Sequence, residues 1–482
     1  MTLDPQTCYR ALRARDARFD GRFFVAVSST RIYCRPVCTV KPPRRENCSF
    51  YASAAAAESA GFRPCLRCRP ELAPGNASVD ATTRLAQAAA SLLEDRTLDE
   101  GGLEALAARL GITDRHLRRA FGAEFGVSPV EFAQTQRLLL AKRLLTDTEL
   151  PVTEIAFASG FGSVRRFNAL FRQRYRLQPS RLRKRAAVPA APDALAFELS
   201  FRPPYDWRAL ATFLGARALA GVEAADAHGY RRTVRIVHGG REHRGWIEVA
   251  PSPKKAALRV AVSASLARAL PPVLSRVKAL MDLACSPTEV RQALGALARH
   301  HPGLRVPGAF DGFEVAVRAI LGQQVTVAAA RTLAGRFAAA FGDPLETPIG
   351  SLTTLFPVAG RIAQLPYGRI ARLGVPAARA RTLVALARAL ADGALELAPN
   401  VDVEATLAKL RAIPGVGEWT AQYIAMRALA WPDAFPHTDY GVMKALKIDD
   451  PKRVLAAAER WRPWRAYAVM HLWQSLLQGG RK

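Results

Sequence analysis

Cys34-x3-Cys38 and, 26 residues further on, Cys65-x2-Cys68 offer four soft ligands at the spacing of one tetrahedral metal site. Four thiolates in a reducing compartment favour Zn2+ over harder ions. Such a site is either a structural clip or a reactive centre, and spacing alone does not separate the two. A second chemistry lies far downstream. Leu410-Arg-Ala-Ile-Pro-Gly-Val-Gly-Glu-Trp-Thr-Ala421 reads as a helix-hairpin-helix turn. Its Gly415 and Gly417 let backbone amides approach a DNA phosphate, with a bound monovalent cation helping to meet the charge. Asp439 follows in Phe435-Pro-His-Thr-Asp-Tyr440. Thiolate and carboxylate chemistry are thus directed at the same nucleic acid.

Composition agrees with that target. The chain has 482 residues, a net charge of +28 and 50% apolar residues, enough for several domains with their own cores. A strong positive balance selects polyanionic partners, of which DNA is the most common. No apolar run is long enough to span a bilayer, and Met1-Thr-Leu-Asp-Pro lacks the basic start of a signal peptide. The expected place is the bacterial cytoplasm, in association with the nucleoid and away from membranes. Its seven cysteines would be reduced there, so paired cysteines point to metal before disulfide.

The elements that must position these groups follow from periodicity. Pro74-Gly-Asn-Ala-Ser-Val79 and Ala186-Ala-Val-Pro-Ala-Ala-Pro192 read as joints. Between them, Leu103, Leu106, Ala107 and Leu110 mark one helix face, and Thr113 or Asp114 can cap the next helix. The pattern recurs around Ile155, Ala156 and Gly160, which predicts two tandem helix-turn-helix units. Alternating runs at 195–201, 233–237, 245–250 and 257–262 read as strands, with helices near 206–219 and 266–283. From about 288 onward the pattern is almost wholly helical.

Three longer strings carry family resemblances. Ser29-Thr-Arg-Ile-Tyr-Cys-Arg-Pro-Val-Cys38 and Ala60-Gly-Phe-Arg-Pro-Cys-Leu-Arg-Cys-Arg-Pro70 resemble the N-terminal domain of the adaptive-response Ada family, over roughly residues 5–75. That resemblance implies one zinc ion held by Cys34, Cys38, Cys65 and Cys68, with Cys34 as acceptor of a methyl group from an alkylated phosphate triester. Zinc with four thiolates carries a charge of about −2, so its sulfurs stay nucleophilic. Methylation removes one negative charge. At ~5 Å and an effective dielectric near 20 that relieves on the order of 3 kcal/mol of repulsion against phosphate before screening. Arg31, Arg35, Lys41, Arg44 and Arg45 flank the first pair and are expected to form a phosphate-attracting surface.

Val152-Thr-Glu-Ile-Ala-Phe-Ala-Ser-Gly-Phe-Gly-Ser-Val-Arg-Arg-Phe-Asn-Ala-Leu-Phe171 resembles the second motif of the AraC family. The first unit keeps that family's Gly-x-Ser-Pro string as Gly126-Val-Ser-Pro129, whereas the second has Arg176-Leu-Gln-Pro179. The resemblance implies promoter binding and activation through RNA polymerase. Candidate groove contacts are Asp114, Arg115, Arg118 and Arg119 in one reading helix, and Ser163, Arg165, Arg166 and Asn168 in the other.

Phe201-Arg-Pro-Pro-Tyr-Asp-Trp207, Val317-Arg-Ala-Ile-Leu-Gly-Gln-Gln-Val-Thr326 and Glu459-Arg-Trp-Arg-Pro-Trp-Arg-Ala-Tyr-Ala468 are similar to the AlkA type of 3-methyladenine glycosylase, over about 195–478. The likeness implies Asp439 as the catalytic carboxylate and a base pocket of Phe213, Trp419, Tyr423, Tyr440 and Trp473. It implies Gln324 as the residue that fills the gap left by a flipped base. N-alkylation makes the base a cationic leaving group, and aromatic walls suit a cation. Trp419 stands where bifunctional relatives carry a Schiff-base lysine, so a monofunctional enzyme is expected.

The expected architecture is therefore multidomain. A small α+β zinc domain (1–78) precedes an all-α double helix-turn-helix domain (79–186) and a linker (187–194). An α+β AlkA-type N-terminal domain (195–286) and an all-α helix-hairpin-helix glycosylase domain (287–482) complete it. The expected function is excision of alkylated bases from double-stranded DNA, joined to methyl-triester sensing and transcription activation. The competing reading is an AraC-type regulator whose glycosylase half merely binds DNA. No Pro-Cys-His-Arg acceptor string occurs, so transfer from O6-alkylguanine is not expected.

Overall fold

The computed structural model describes residues 4–74, 102–148, 150–182, 193–399 and 401–479, with 85–86, 88–90 and 92–93 between the first two. Apart from Pro74, both expected joints lie outside these residues.

Residues 4–74 fold around a four-stranded sheet in the order Cys48–Tyr51, Phe24–Val27, Ile32–Cys34, Arg63–Pro64. The last pairing is parallel and sets Tyr33 against Pro64, so Cys34 and Cys65 emerge side by side at the strand ends. The helical region that follows has caps its sequence specifies. Thr113 accepts from the His116 amide and Ser163 from the Arg166 amide, which starts the helices Asp114–Phe125 and Val164–Tyr175. Ser128 and Glu131 form a reciprocal capping box at the head of the long helix Pro129–Asp147.

Next comes a five-stranded antiparallel sheet, ordered Ala194–Ser200, Ala257–Ser263, Arg241–Pro251, Tyr230–His238, Glu223–Ala225. Strict alternation along the first of these strands turns Leu195, Phe197 and Leu199 inward. The short strand Glu223–Ala225 was not evident from periodicity, since three residues are too few to alternate. Helix Trp207–Gly215 packs beside this sheet and carries Phe213 toward the all-helical part. There, one large core joins helices Gly312–Leu321, Ala377–Ala391, Glu418–Arg427 and Arg465–Gly479.

Buried charge links these parts. Lys142 of the long helix pairs with Glu71 at 2.6 Å, both almost fully buried. Arg202, 1% exposed, donates to the Asp20 carbonyl at 3.1 Å and to the Ala284 carbonyl at 2.9 Å. Glu58 accepts from Tyr33 (2.9 Å), Tyr175 (3.3 Å) and Thr135 (3.3 Å), which ties the N-terminal domain to the helical region after it. Burial pushes the Glu58 carboxyl up to about 7, despite the hydrogen bonds that favour its charged form. An acid with a raised folded-state value keeps its proton in the folded protein after the unfolded chain has lost it, so stability falls as pH rises from about 4.5 to about 7. Glu58→Gln should therefore gain on wild type by up to about 3 kcal/mol across that window and stay level above it. Calorimetry from pH 5 to 8 checks this; a difference independent of pH would refute it.

Candidate active sites

The four cysteine sulfurs lie within 4.8 Å of one another. A tetrahedral zinc with bonds of about 2.3 Å needs sulfurs just under 4 Å apart, so the cluster suits that ion. Backbone amides already serve three of the sulfurs. Arg35 N donates to Cys68 at 3.3 Å, Arg67 N to Cys65 at 3.4 Å, and the Val40 amide to Cys38. Cys34, among the described residues, receives no backbone donor.

The flanking basic residues divide. Lys41 and Arg44 are exposed. Arg45 lies over the Phe50 ring at 5.2 Å, and Arg31 over Phe62 at 4.8 Å. Arg35 does not join that surface. It is buried, donates from Nε to Asp20 at 2.8 Å and from Nη1 to the Cys68 carbonyl at 3.2 Å. A guanidinium satisfied on both sides by a carboxylate and a carbonyl braces the cysteine loop from behind instead of meeting phosphate.

In the helix-turn-helix region Arg115, Arg118, Arg119, Arg165 and Arg166 are all exposed on the two reading helices. Arg118 is paired to Asp114 at 2.8 Å, and the Ser163 hydroxyl is occupied as a cap. Asp114 and Ser163 therefore have intramolecular partners, which the arginines at 115, 165 and 166 lack among the described contacts.

Asp439 is the N-cap of helix Tyr440–Leu446. Its Oδ1 accepts from the Val442 amide at 2.9 Å and from Trp473 Nε1 at 2.8 Å; its Oδ2 accepts from Trp419 Nε1 at 2.8 Å. Two indoles and one amide thus fix the carboxylate in orientation. Trp419 and Tyr423 stack at 5.3 Å, and Phe213 faces Trp473 almost in parallel at 6.2 Å. Asp439, Trp419, Tyr423 and Trp473 border a cavity of about 390 Å3 that also reaches Arg217, Arg318 and Arg427, while Phe213 backs Trp473 without lining the cavity. Tyr440 is 78% exposed and stands at its mouth. The arginines were missed by sequence reading, although Trp419, Tyr423 and Arg427 recur every fourth residue on one helix face. Arg217 lies 3.7 Å and Arg427 5.1 Å from the Phe213 ring centroid, so cation–π capacity there is already used within the protein.

The hairpin joins Val403–Arg411 to Glu418–Arg427. Gln323 donates from Nε2 to the Gly415 carbonyl at 2.9 Å and to Thr420 at 2.8 Å, which fastens the preceding loop to the hairpin. Its neighbour Gln324 has a left-handed backbone, φ 54°, and makes no such bond. Gly415 has φ +89°, and a Cβ there would lie 2.2 Å from Thr382 Oγ1; Gly417 has open space at its Cα. Gly415→Ala should lower the melting temperature, at a cost of about 2–3 kcal/mol. Gly417→Ala should keep that temperature but weaken duplex binding, as a methyl would meet only the incoming backbone. Equal melting losses in the two variants would refute this division.

Four family models match successive parts of the chain. They are the metal binding domain of Ada (7–71), a helix-turn-helix domain (106–185), the AlkA N-terminal domain (196–311) and the HhH-GPD superfamily of base excision DNA repair proteins (317–462). A Mycobacterium tuberculosis protein described as a probable bifunctional transcriptional activator/DNA repair enzyme AlkA is 40% identical over 98% of this chain and 97% of its own length. The chain belongs to this bifunctional Ada–AlkA family. The separate halves have relatives as well. The Escherichia coli DNA-3-methyladenine glycosylase 2 is 37% identical over 58% of this chain and 96% of its own length. The Escherichia coli bifunctional activator and repair enzyme Ada is 40% identical over 30% of this chain and 40% of its own length. Within the Ada–AlkA family the four-cysteine cluster is a zinc site. No described helix is long and apolar enough to cross a membrane.

Proposed function

We propose that this Ada–AlkA protein runs two separate reactions on alkylated DNA. Asp439 carries the first, cleavage of the bond between a damaged base and its sugar. The supporting observation is the carboxylate pinned by Trp419 and Trp473 at the edge of an aromatic cavity beside a DNA-gripping hairpin. As the bond lengthens, positive charge grows on the sugar, and a fixed carboxylate stabilises it without having to reorient. Asp439 then takes a proton from the water that adds at C1′. Phe213, Trp419, Tyr423 and Trp473 hold the flipped base, Tyr440 guards the entrance, and Gln324 fills the vacated stack. Gly415 and Gly417 bring amides to the phosphate, with a monovalent cation at the hairpin. Bases of the 3-methyladenine and 7-methylguanine type are the substrates.

Cys34 carries the second reaction. Zinc held by the four cysteines keeps their sulfurs deprotonated at neutral pH. Cys34 Sγ attacks a methyl carbon of a phosphate triester; an S–C bond forms as the O–C bond breaks, and the phosphate regains its charge. Each chain reacts once. Loss of one thiolate charge then favours promoter DNA, read by Arg115, Arg118, Arg165 and Arg166 with Arg44 and Arg45 adding phosphate contacts, and RNA polymerase is the downstream partner. Methylated duplex should yield free methylpurine and an unbroken abasic strand. Strand scission without added alkali would contradict the monofunctional assignment, and absence of free base would leave only the regulator.

A further inference from the structure

Tyr423 is held in a way that a mere pocket wall does not need. Arg427 Nη1 donates to its hydroxyl at 3.0 Å. Arg427 cannot swing away, since Nε donates to the Pro307 carbonyl and Nη2 to the Gly308 carbonyl at 3.1 Å. Arg217, anchored on the Phe213 carbonyl at 3.2 Å, and Arg318 bring two further guanidinium charges to bear on the same hydroxyl. Arg427 can only donate. The phenolic oxygen therefore accepts from one cation and faces two more, and no described acceptor takes its own proton. Burial opposes ionisation, yet the charges of Arg427 and Arg217 hold the hydroxyl below the ordinary tyrosine value. The side chain lies beside Asp439, stacked on the Trp419 ring whose N–H holds that carboxylate.

The arrangement matters for only one class of lesion. An N-alkylated cationic purine departs neutral and needs no proton. A neutral damaged base departs as an anion and needs one. We infer that Tyr423 is the general acid for neutral damaged bases, donating its phenolic proton to the departing base. The C1′–N electron pair goes to the base, which gains the tyrosine proton. Arg427 and Arg217 stabilise the tyrosinate left behind. Water adds at C1′ and gives its proton to Asp439, from which solvent returns it to Tyr423. The sum is one water consumed, one free base and one abasic sugar. Two guanidinium groups against the pocket also repel a cationic base, so they make better sense as supports for a departing negative charge.

This inference rests on the glycosylase reading, and the test separates the two. Single-turnover release is measured for wild type and Tyr423→Phe on duplexes carrying one deoxyinosine (neutral base) or one 7-methyldeoxyguanosine (cationic base). Both rates fall in the variant, but the ratio of neutral to cationic release should drop on the order of a hundredfold. Wild-type release of hypoxanthine should also decline toward high pH with the loss of the phenolic proton, a limb absent for methylguanine and from the variant. The methylguanine release that remains, together with an unchanged melting temperature, reports that the variant is folded. Equal loss on both substrates would overturn the proposal, as would a wild type that frees methylguanine but never hypoxanthine. If wild type frees neither, the glycosylase reading itself falls and takes the inference with it.

Discussion

Asp439→Asn slows release of alkylated bases by at least ~10³-fold while methyl uptake by Cys34 stays at the wild-type level. Two effects add. The charge that stabilises the developing sugar cation is gone, a change usually worth several kcal/mol in a site shielded from water. The amide also cannot satisfy its neighbours. Asp439 Oδ1 serves the Val442 amide and Trp473, and Oδ2 serves Trp419, so all three partners are donors. An asparagine must turn its NH2 toward one of them, which leaves donor facing donor at a cost of about 1–3 kcal/mol. Rates on methylated duplex at saturating enzyme measure the chemical step. A loss below tenfold would mean that the carboxylate is a helix cap and little else.

Cys34→Ala abolishes covalent methyl capture altogether, whereas base release continues. The proposed choice of Cys34 among four sulfurs has a physical basis. Amide hydrogen bonds draw electron density from Cys38, Cys65 and Cys68. Cys34 is spared, so its thiolate should be the best nucleophile of the set. Its position at the end of strand Ile32–Cys34 leaves the following residue, Arg35, to brace the loop through Asp20. Intact-mass analysis after incubation with methylated DNA would locate the methyl group. Methylation of Cys38 or Cys68 in the Cys34→Ala protein would show that position, not hydrogen bonding, decides the acceptor.

Much of this was legible in the chain because the relevant signals are local. Cysteine spacing, the Pro-Gly-Val-Gly hairpin and the Thr113 cap each depend on a few adjacent residues. Charged residues were harder to read. By composition, every arginine is a candidate for phosphate, yet Arg35 and Arg202 are buried and bonded to groups distant in sequence, such as Asp20 and the Ala284 carbonyl. Only tertiary contact tells an inward guanidinium from an outward one. The same reason hid Arg217 and Arg427. Aromatic residues announced a pocket for a cation, while the side chains that complete it came from two separate parts of the chain. Gln323 was overlooked beside Gln324, because which of two adjacent amides meets the hairpin depends on a left-handed backbone turn at the second.

The most direct test of two independent centres uses one DNA carrying radiolabelled methyl groups on both bases and phosphates. Wild type, Cys34→Ala and Asp439→Asn are incubated with it, and label is counted on protein and as free base. The account predicts protein-bound label lost only in Cys34→Ala and free methylpurine lost only in Asp439→Asn. Loss of both signals in either single variant would contradict it.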